Sequence, residues 1–256
     1  MDNFDFTKFY DQQHDYESFR NDPEKRHEYD IAVNWKVKNL GSLTSGSIKF
    51  SNILEIGCAL GILLNKMADS LSIKERTGVD ISTENIKIAK QLFPECTFFQ
   101  GTIENTKKKF DLVILSDIVE HIPDDLDFMK KVSKISNYVL FNLPLEKSFM
   151  NKNRKYGVDD PSGHLRKYNK YDAAKLARSS GFKILSSFTV NSHYNKEHFE
   201  LYRKNRNQRI GKKGLIKKVF WTLFYLKMDA IRFLMPWLYI KIYGSNYFAL
   251  LKVSPE

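Results

Sequence analysis

Residues 54–61 read Leu-Glu-Ile-Gly-Cys-Ala-Leu-Gly. They join a short apolar run that ends at Ile56 to a segment with helical periodicity that begins at Gly61. Gly57 can adopt a positive φ and has no Cβ, so a ligand can approach the backbone closely at this turn. In an open α/β sheet, ligands bind beside such turns, at the carboxyl ends of the strands. The stretch therefore predicts a strand, a ligand-binding turn and a helix.

On both sides of this stretch, short apolar runs alternate with helical patterns. This alternation predicts an α/β fold with a mostly parallel sheet whose two faces are covered by helices. Seven runs are predicted as strands: Ser51–Ile56, Thr77–Ile81, Cys96–Gln100, Phe110–Leu115, Tyr138–Asn142, Phe182–Phe188 and Tyr247–Val253.

The chain is predicted to form one domain with two additions to its core. Residues 1–45 form an N-terminal helical cap, in which Asn21-Asp22-Pro23 is a helix-start signal. Residues 46–190 and 245–254 form the core. Residues 191–244 form an insertion before the last strand, because this segment is too long for a simple connection.

Asp80 is a second candidate ligand-binding position. It lies 23 residues after Gly57, at the end of the second predicted strand. A carboxylate there can accept hydrogen bonds from both hydroxyls of a ribose. It can also stabilise the N-terminus of the following helix through the helix dipole. The glycine spacing differs from G-x-G-x-x-G, so it does not indicate a pyrophosphate cradle.

The pattern E-x-G-x-x-x-G at residues 55–61, followed by V-D-I-S at residues 79–82, resembles the class I S-adenosylmethionine-dependent methyltransferases. The resemblance covers about residues 50–190 and the last strand. It continues through five further segments: Gly101–Glu104, Phe110–Val113, Ser116–Ile122, Asn142–Pro144 and Gly163–Tyr168. It implies a Rossmann-like seven-stranded sheet and S-adenosylmethionine as the cofactor.

The resemblance also implies where the cofactor binds. The turn from Gly57 to Gly61 would hold its methionine part, and Glu55 would support this turn through hydrogen bonds. The other implied positions are Cys58 and Ala59 within the turn, Asp80 at the ribose hydroxyls, Ile81 against the adenine, Thr102 and Ile103 at the adenine edge, and Ser116 near the amino-acid part and the reactive methyl group.

Four polar residues after the fourth and fifth strands are candidate catalytic residues: Asp117, Glu120, His121 and His164. The first three are spaced three and four residues apart, so a helical turn would place them on one face. One hypothesis makes His121 or His164 a general base, because an imidazole with an ordinary pKa of ~6.5 suits that role. A structural hypothesis is that Glu120 and His121 only orient the turn.

A third hypothesis is that all four residues bind a divalent metal that polarises an acceptor hydroxyl. The arrangement D-x-x-E-H with a later His resembles the metal site of small-RNA 3′-end methyltransferases and of some quinone O-methyltransferases. The first position is normally Glu in those enzymes, whereas here it is Asp117.

The net charge is concentrated in the predicted insertion. The chain has 41 Lys and Arg against 30 Asp and Glu, a net charge of +11. Between Leu201 and Tyr243 there are eleven basic residues and a single acid, Asp229, so this segment alone carries +10. Within it, residues 215–234 are predicted to form an amphipathic helix.

Three partners are compatible with this basic, aromatic insertion. Residues 203–241 could dock on an anionic membrane. Alternatively, the segment caps the substrate or forms a dimer, with its apolar face buried in protein. Nucleic-acid binding is disfavoured because no RNA-binding motif is found.

The predicted reaction is methyl transfer to an oxygen, and secondarily to a nitrogen, of a sugar or glycan precursor that is nucleotide- or lipid-linked. The alternatives are an RNA or quinone-type small-molecule methyltransferase, and a catalytically silent cofactor-binding or membrane-scaffold protein. Two cysteines form no disulfide framework, and the first residues lack the pattern of a secretory signal. The predicted location is the cytoplasm, with peripheral attachment to the inner face of the membrane.

Overall fold

The computed structural model describes residues 11, 21–44, 48–106, 108–157 and 160–254. About half of the predicted N-terminal cap therefore lies outside the described residues. The helices are α1 (Pro23–Gly41), α2 (Ile62–Ser70), α3 (Thr83–Leu92), α4 (Asp125–Ile135), α5 (Lys170–Ser179), α6 (Lys196–Gly211), α7 (Leu215–Leu234) and α8 (Pro236–Tyr243). The strands are β1 (Asn52–Ile56), β2 (Glu75–Asp80), β3 (Thr97–Gln100), β4 (Phe110–Ser116), β5 (Ser136–Leu145), β6 (Phe182–Val190) and β7 (Ser245–Val253).

The seven strands form one sheet in the order β3-β2-β1-β4-β5-β7-β6. Strands β1 to β5 pair in parallel, and β7 runs antiparallel to both β5 and β6. Strand β1 lies between β2 and β4, so the strand order reverses at β1. Such a reversal opens a crevice at the carboxyl ends of the strands. The predicted Rossmann-like, mostly parallel α/β fold is confirmed.

The sheet has a hydrophobic core on each face. Strand β4 alternates between the two, because Leu112 and Ile114 belong to one core and Val113 and Leu115 to the other. Helices α1, α2 and α3 cover the first core, and α4 and α5 cover the second. This double coverage explains why the central strands read as continuous apolar runs.

Helix α1 begins at the predicted signal. Asp22 accepts hydrogen bonds from the backbone N–H groups of Glu24, at 2.8 Å, and Lys25, at 3.4 Å, and Pro23 is the first helical residue. The helix packs against α2 and contacts α6, where the rings of Trp35 and His198 meet edge to face at 5.5 Å. Helix α1 thus links the core to the segment between β6 and β7.

Helices α6, α7 and α8 occupy the segment between β6 and β7, where the sequence predicts an insertion. They are held together by an ion pair between Arg206 and Asp229, at 2.9 and 3.1 Å. Met228, Ile231 and Tyr239 form a small core of their own. No helix in the part of the chain that the structure describes has the length and apolar character needed to cross a membrane.

Candidate active site

A cavity of about 380 Å³ lies at the carboxyl ends of β1, β2 and β4. Its size suits a small-molecule ligand. Five of the predicted cofactor-binding residues line it: Gly57, Asp80, Ile81, Thr102 and Ile103. Two of the predicted catalytic residues, Asp117 and His121, also line it. The sheet topology therefore brings two sets of predicted residues, far apart in sequence, to one opening.

Positive φ angles and a backbone hydrogen bond define the conformation of the turn after β1. Gly57 has φ +73°, and its N–H donates a hydrogen bond of 2.8 Å to the carbonyl oxygen of Val79. A Cβ at Gly57 would lie 2.8 Å from the side chain of Ile118, which itself lines the cavity. Ala59 also has a positive φ, of 45°, a conformation that costs free energy in a residue with a side chain. A side chain at Gly57 would therefore collide with Ile118 on the cavity wall, and the turn requires glycine at this position.

Asp80 connects the turn to the start of α3. Its carboxylate accepts hydrogen bonds from the backbone N–H of Ala59, at 2.8 Å, and of Ser82, at 2.9 Å. Burial raises the pKa of Asp80, although these two hydrogen bonds oppose the rise. Asp80 therefore holds the turn and the helix start in place, and it is also one of the residues that line the cavity. The two roles predicted for Asp80 are compatible with each other.

The remaining cofactor-binding predictions lie around the cavity without lining it. Glu55 is buried and accepts a hydrogen bond of 2.9 Å from Leu64 N–H, in the first turn of α2. Burial raises the pKa of Glu55 to about 8, and Lys36 opposes the rise. The buried thiol of Cys58 packs towards Gly78, and burial raises its pKa well above the usual range. The side chain of Cys58 therefore points away from the ligand space.

Gly61 and Ser116 complete the set of predicted cofactor residues. Gly61 has φ +73° and caps α2, and a Cβ there would lie 2.6 Å from the ring of Phe98. Ser116 is buried at the end of β4, and its hydroxyl accepts a hydrogen bond of 3.0 Å from Asn142. Both residues shape the walls behind the turn.

Lys36 is a site residue that the sequence reasoning missed. Its Nζ lies 2.5 Å from Asp117 Oδ2. Burial would lower the pKa of Lys36, but the nearby carboxylates of Asp117, Glu55 and Glu120 outweigh burial and raise it. A signal existed in the sequence: Lys36 lies between Val33 and Leu40 at spacings of three and four, on the buried side of α1. A lysine on such a face needs a carboxylate partner.

The candidate catalytic residues separate into two groups. A short 3₁₀ turn spans Val119–His121 and orients Glu120 and His121 towards His164. The potential ligand atoms of Glu120, His121 and His164 all lie within 4.8 Å of one another. Asp117 does not belong to this cluster, because its carboxylate is bound by Lys36 and Asn142. The predicted single face that includes Asp117 is therefore not formed, since Asp117 itself adopts a positive φ of 52°.

Glu120 is the most unusual member of the cluster. It is 1% exposed, and neither carboxylate oxygen has a hydrogen-bond partner among the described residues. The Nε2 atom of His121 lies 3.8 Å from Glu120 Oε1. Burial raises the pKa of Glu120 well above its usual range, and the negative charge of Asp117 raises it further. A buried carboxylate without hydrogen bonds is unstable as an anion, so either a proton or a bound cation must neutralise it.

The two histidines are held in defined orientations. His121 Nδ1 lies 3.0 Å from the carbonyl oxygen of Gly163, and His164 Nδ1 lies 2.7 Å from Glu146 Oε2. Because a carbonyl oxygen only accepts, the neutral ring of His121 carries its proton on Nδ1 and has its lone pair on Nε2. Burial lowers the pKa of His121 to about 4, with a further contribution from His164. His121 is therefore neutral at pH 7.

These three residues fit a divalent metal. One carboxylate and two imidazoles form a donor set suited to Zn²⁺, Mn²⁺ or Fe²⁺. The buried, unpartnered carboxylate of Glu120 and the neutral ring of His121 favour a cation over a proton at this position. Glu120, His121 and His164 are the residues that would hold it.

The chain is similar to known proteins over this same region. The family model described as "Methyltransferase domain" matches residues 36–187, more than half of the chain. The ubiquinone biosynthesis O-methyltransferase of Haemophilus ducreyi is 34% identical over 90 residues, which are 30% of this chain and 37% of that protein. The malonyl-[acyl-carrier protein] O-methyltransferase 1 of Ilyobacter polytropus is 25% identical over 151 residues, 56% of each chain. The chain thus matches between about a third and about half of the length of these relatives.

A solved structure shares the fold. The magnesium protoporphyrin IX methyltransferase of Synechocystis PCC 6803, determined with bound S-adenosylhomocysteine, superposes with a TM-score of 0.57 at 16% identity, over 72% of this chain and 90% of that chain. The region that the family model matches contains the Gly57 turn and Asp80. The chain belongs to the methyltransferase domain family, and it shares the fold of that solved methyltransferase.

Proposed function

We propose that this methyltransferase transfers the methyl group to an oxygen atom of a hydroxylated small molecule. The observation that carries the proposal is His121, a neutral imidazole on the cavity wall whose Nδ1 is bound to a carbonyl oxygen. This orientation makes Nε2 the nitrogen that can accept the proton of an acceptor hydroxyl. A neutral amine can attack the methyl group through its lone pair without first losing a proton, so it needs such a base less. The names of the similar O-methyltransferases support the same choice of atom.

The bound cofactor supplies a methyl group activated by a sulfonium. The chain has to align the acceptor oxygen with that carbon, exclude water and receive the proton. Gly57 and Asp80 position the cofactor side of the cavity. Ile118 and Ile122 provide apolar wall, and His121 faces the acceptor side. As the carbon–oxygen bond forms and the carbon–sulfur bond breaks, the hydroxyl proton passes to Nε2 of His121.

The lowered pKa of His121 bears on the class of acceptor. A base with a pKa of about 4 suits an acidic hydroxyl, such as that of a phenol or quinol, better than the alcohol of a sugar. The sugar or glycan precursor expected from the sequence therefore needs further activation of its hydroxyl. A divalent metal on Glu120, His121 and His164 is a second candidate because of the orphaned Glu120, and it would act as a Lewis acid that acidifies the hydroxyl.

Labelled S-adenosylmethionine tests the proposal directly. The purified protein is incubated with quinols and catechols, nucleotide- and lipid-linked sugars, primary amines and RNA, with and without Mn²⁺. We expect label in an oxygen-linked methyl group of a phenolic acceptor without metal, or of a sugar only when metal is present. Label in amines or on the bases of RNA, with none on any hydroxyl oxygen, would contradict O-methylation. His27→Ala, an exposed histidine of α1, is the matched control for His121→Ala.

A further inference from the structure

Helix α7 turns an apolar row towards solvent. Its members follow one another at steps of four or three residues, so they lie along one side of the helix. They are Leu215, Val219, Leu223, Leu226, Ala230 and Phe233, and all six are exposed. Phe233 is 82% exposed and Leu215 78%. A 20-residue helix is about 30 Å long, so the row is a long apolar strip.

The orientation of this helix is fixed by its opposite side. Met228 and Ile231 are buried there. Asp229 pairs with Arg206 of α6, and the guanidinium of Arg232 lies 3.6 Å from the ring centre of Phe199, also on α6. The inward side of α7 therefore carries Met228, Ile231 and two charges that are engaged by α6, whereas a second apolar side faces outward.

Exposed cations surround the start of this apolar row. Residues 209–218 contain five basic residues and no acid: Arg209, Lys212, Lys213, Lys217 and Lys218. All five are exposed, and no carboxylate of the described residues forms an ion pair with them. At the other end, the exposed Trp237 of α8 lies beneath Lys241, whose Nζ is 5.2 Å from the ring centre. The surface is thus apolar along its middle and cationic at its ends.

We propose that α7 docks this protein on an anionic lipid surface. An interfacial helix buries its apolar side at the headgroup–acyl boundary while flanking Lys and Arg contact anionic headgroups, and aromatic residues such as Trp237 favour that boundary. Each part of the surface then has a partner of matching chemistry. The proposal concerns where the enzyme works and holds whatever the acceptor is.

Two other occupants match this surface less well. A symmetric contact with a second copy would pair the two apolar rows but would offer the five cations no partner of opposite charge on this surface. A nucleic acid would satisfy the cations but would leave the aliphatic row of Leu215, Val219 and Leu223 without an apolar partner. Anionic lipid satisfies both at once.

Vesicle flotation tests the proposal with the full chain. Phosphatidylcholine vesicles are compared with vesicles in which about a third of the lipid is phosphatidylglycerol. The apolar variant carries Val219→Ser, Leu223→Ser and Leu226→Ser. The basic variant carries Lys212→Gln, Lys213→Gln, Lys217→Gln and Lys218→Gln. The matched control replaces four exposed lysines elsewhere: Lys49→Gln, Lys90→Gln, Lys175→Gln and Lys183→Gln. Circular dichroism and thermal unfolding verify that each variant is folded.

We expect the native protein to bind the anionic vesicles at least tenfold more tightly than the neutral ones. The basic variant should bind on the order of a hundredfold more weakly, the apolar variant at least tenfold more weakly, and the control like the native protein. Three results would overturn the proposal. The first is that the native protein does not bind anionic vesicles, and the second is that the apolar variant binds them as tightly as the native protein. The third is that the native protein sediments as a dimer and the apolar variant as a monomer.

Discussion

Lys36 Nζ lies 2.5 Å from Asp117 Oδ2, although the two residues are 81 positions apart in the chain. Lys36 belongs to α1, and Asp117 follows β4 on the wall of the cavity. Asn142 donates a hydrogen bond of 2.9 Å to the other carboxylate oxygen. The strained backbone of Asp117 is thus held from two sides, and Lys36 ties the N-terminal helix to the candidate active site.

Replacing Lys36 should destabilise the fold. Lys36→Met leaves the carboxylate of Asp117 without its counter-charge, and we expect a loss of about 2–3 kcal/mol in the free energy of unfolding. Urea denaturation measures this loss. Lys38→Met, an exposed position on the same helix, is the control and should change stability by less than about 0.5 kcal/mol. The double variant Lys36→Met/Asp117→Asn should be more stable than Lys36→Met alone, because it has no unpaired carboxylate. If the stability changes of the two single variants simply add up in the double variant, Lys36 and Asp117 do not interact.

Glu55 should make stability fall as pH rises. Its pKa is about 8 in the folded protein and near 4.5 when the chain is unfolded. Between these values the folded state holds a proton that the unfolded state has released, so its contribution to stability declines with a slope of up to about 1.4 kcal/mol per pH unit. Glu55→Gln keeps an acceptor for Leu64 N–H and should flatten the decline between pH 5 and 8. Unfolding curves across this range check the prediction.

The exposed Glu95 is the control for Glu55, because Glu95→Gln should leave the pH profile unchanged. An identical decline in native protein and Glu55→Gln would contradict the assignment.

Replacing His121 should lower turnover while leaving cofactor binding almost unchanged. We expect His121→Ala to reduce kcat about 10²-fold or more, because it removes the proton acceptor on the cavity wall. His164→Ala should have a smaller effect, since His164 contacts the ring of His121 at 4.7 Å without lining the cavity. In the native protein the acid limb of the pH–rate profile should lie near the pKa of about 4 rather than near 6.5. Equal turnover of His121→Ala and His27→Ala would disprove the role.

The second candidate, a divalent metal held by the Glu120 cluster, has a test of its own. On this hypothesis the native protein binds one equivalent of Mn²⁺ or Zn²⁺ with release of a proton, because metal binding deprotonates a carboxyl whose pKa is raised. Glu120→Gln should abolish this binding with little change in stability, since it replaces a protonated, neutral carboxyl by a neutral amide of similar shape. Metal analysis after dialysis and calorimetry in two buffers measure both effects. Retention of the metal would make His121 Nε2 a ligand and exclude it as the base, whereas a native protein that retains no more metal than Glu120→Gln would leave His121 as the base.

The fold and part of the lining of the cavity could be predicted because their signals are local. Strand periodicity and the turn around Gly57 depend on a few consecutive residues, and parallel pairing then brings Asp80 and Ile103 to the same end of the sheet. The acceptor side was harder to predict. The spacing of Asp117, Glu120 and His121 suggested one helical face, but the positive φ of Asp117 and its bond to Lys36 separate it from the other two.

The orientation of α7 could not be read from its sequence either. Its bounds, Leu215–Leu234, match the predicted helix. The apolar arc of this helix is wide, and only the part with Met228 and Ile231 packs inward, beside the ion pair of Asp229 with Arg206 of α6. A hydrophobic pattern alone does not say which part of a wide apolar arc is buried, because that depends on tertiary contacts.

Calorimetric titration with S-adenosylmethionine tests the central assignment, that Asp80 and the Gly57 turn form the cofactor site. The native protein should bind one equivalent, and Asp80→Ala should bind about a hundredfold more weakly, because it removes a charged acceptor for two ribose hydroxyls and loosens the hydrogen bonds to Ala59 and Ser82. Asp69→Ala, an exposed carboxylate at the end of α2, should bind like the native protein. Absence of binding by the folded native protein, or equal binding by Asp80→Ala, would contradict the account.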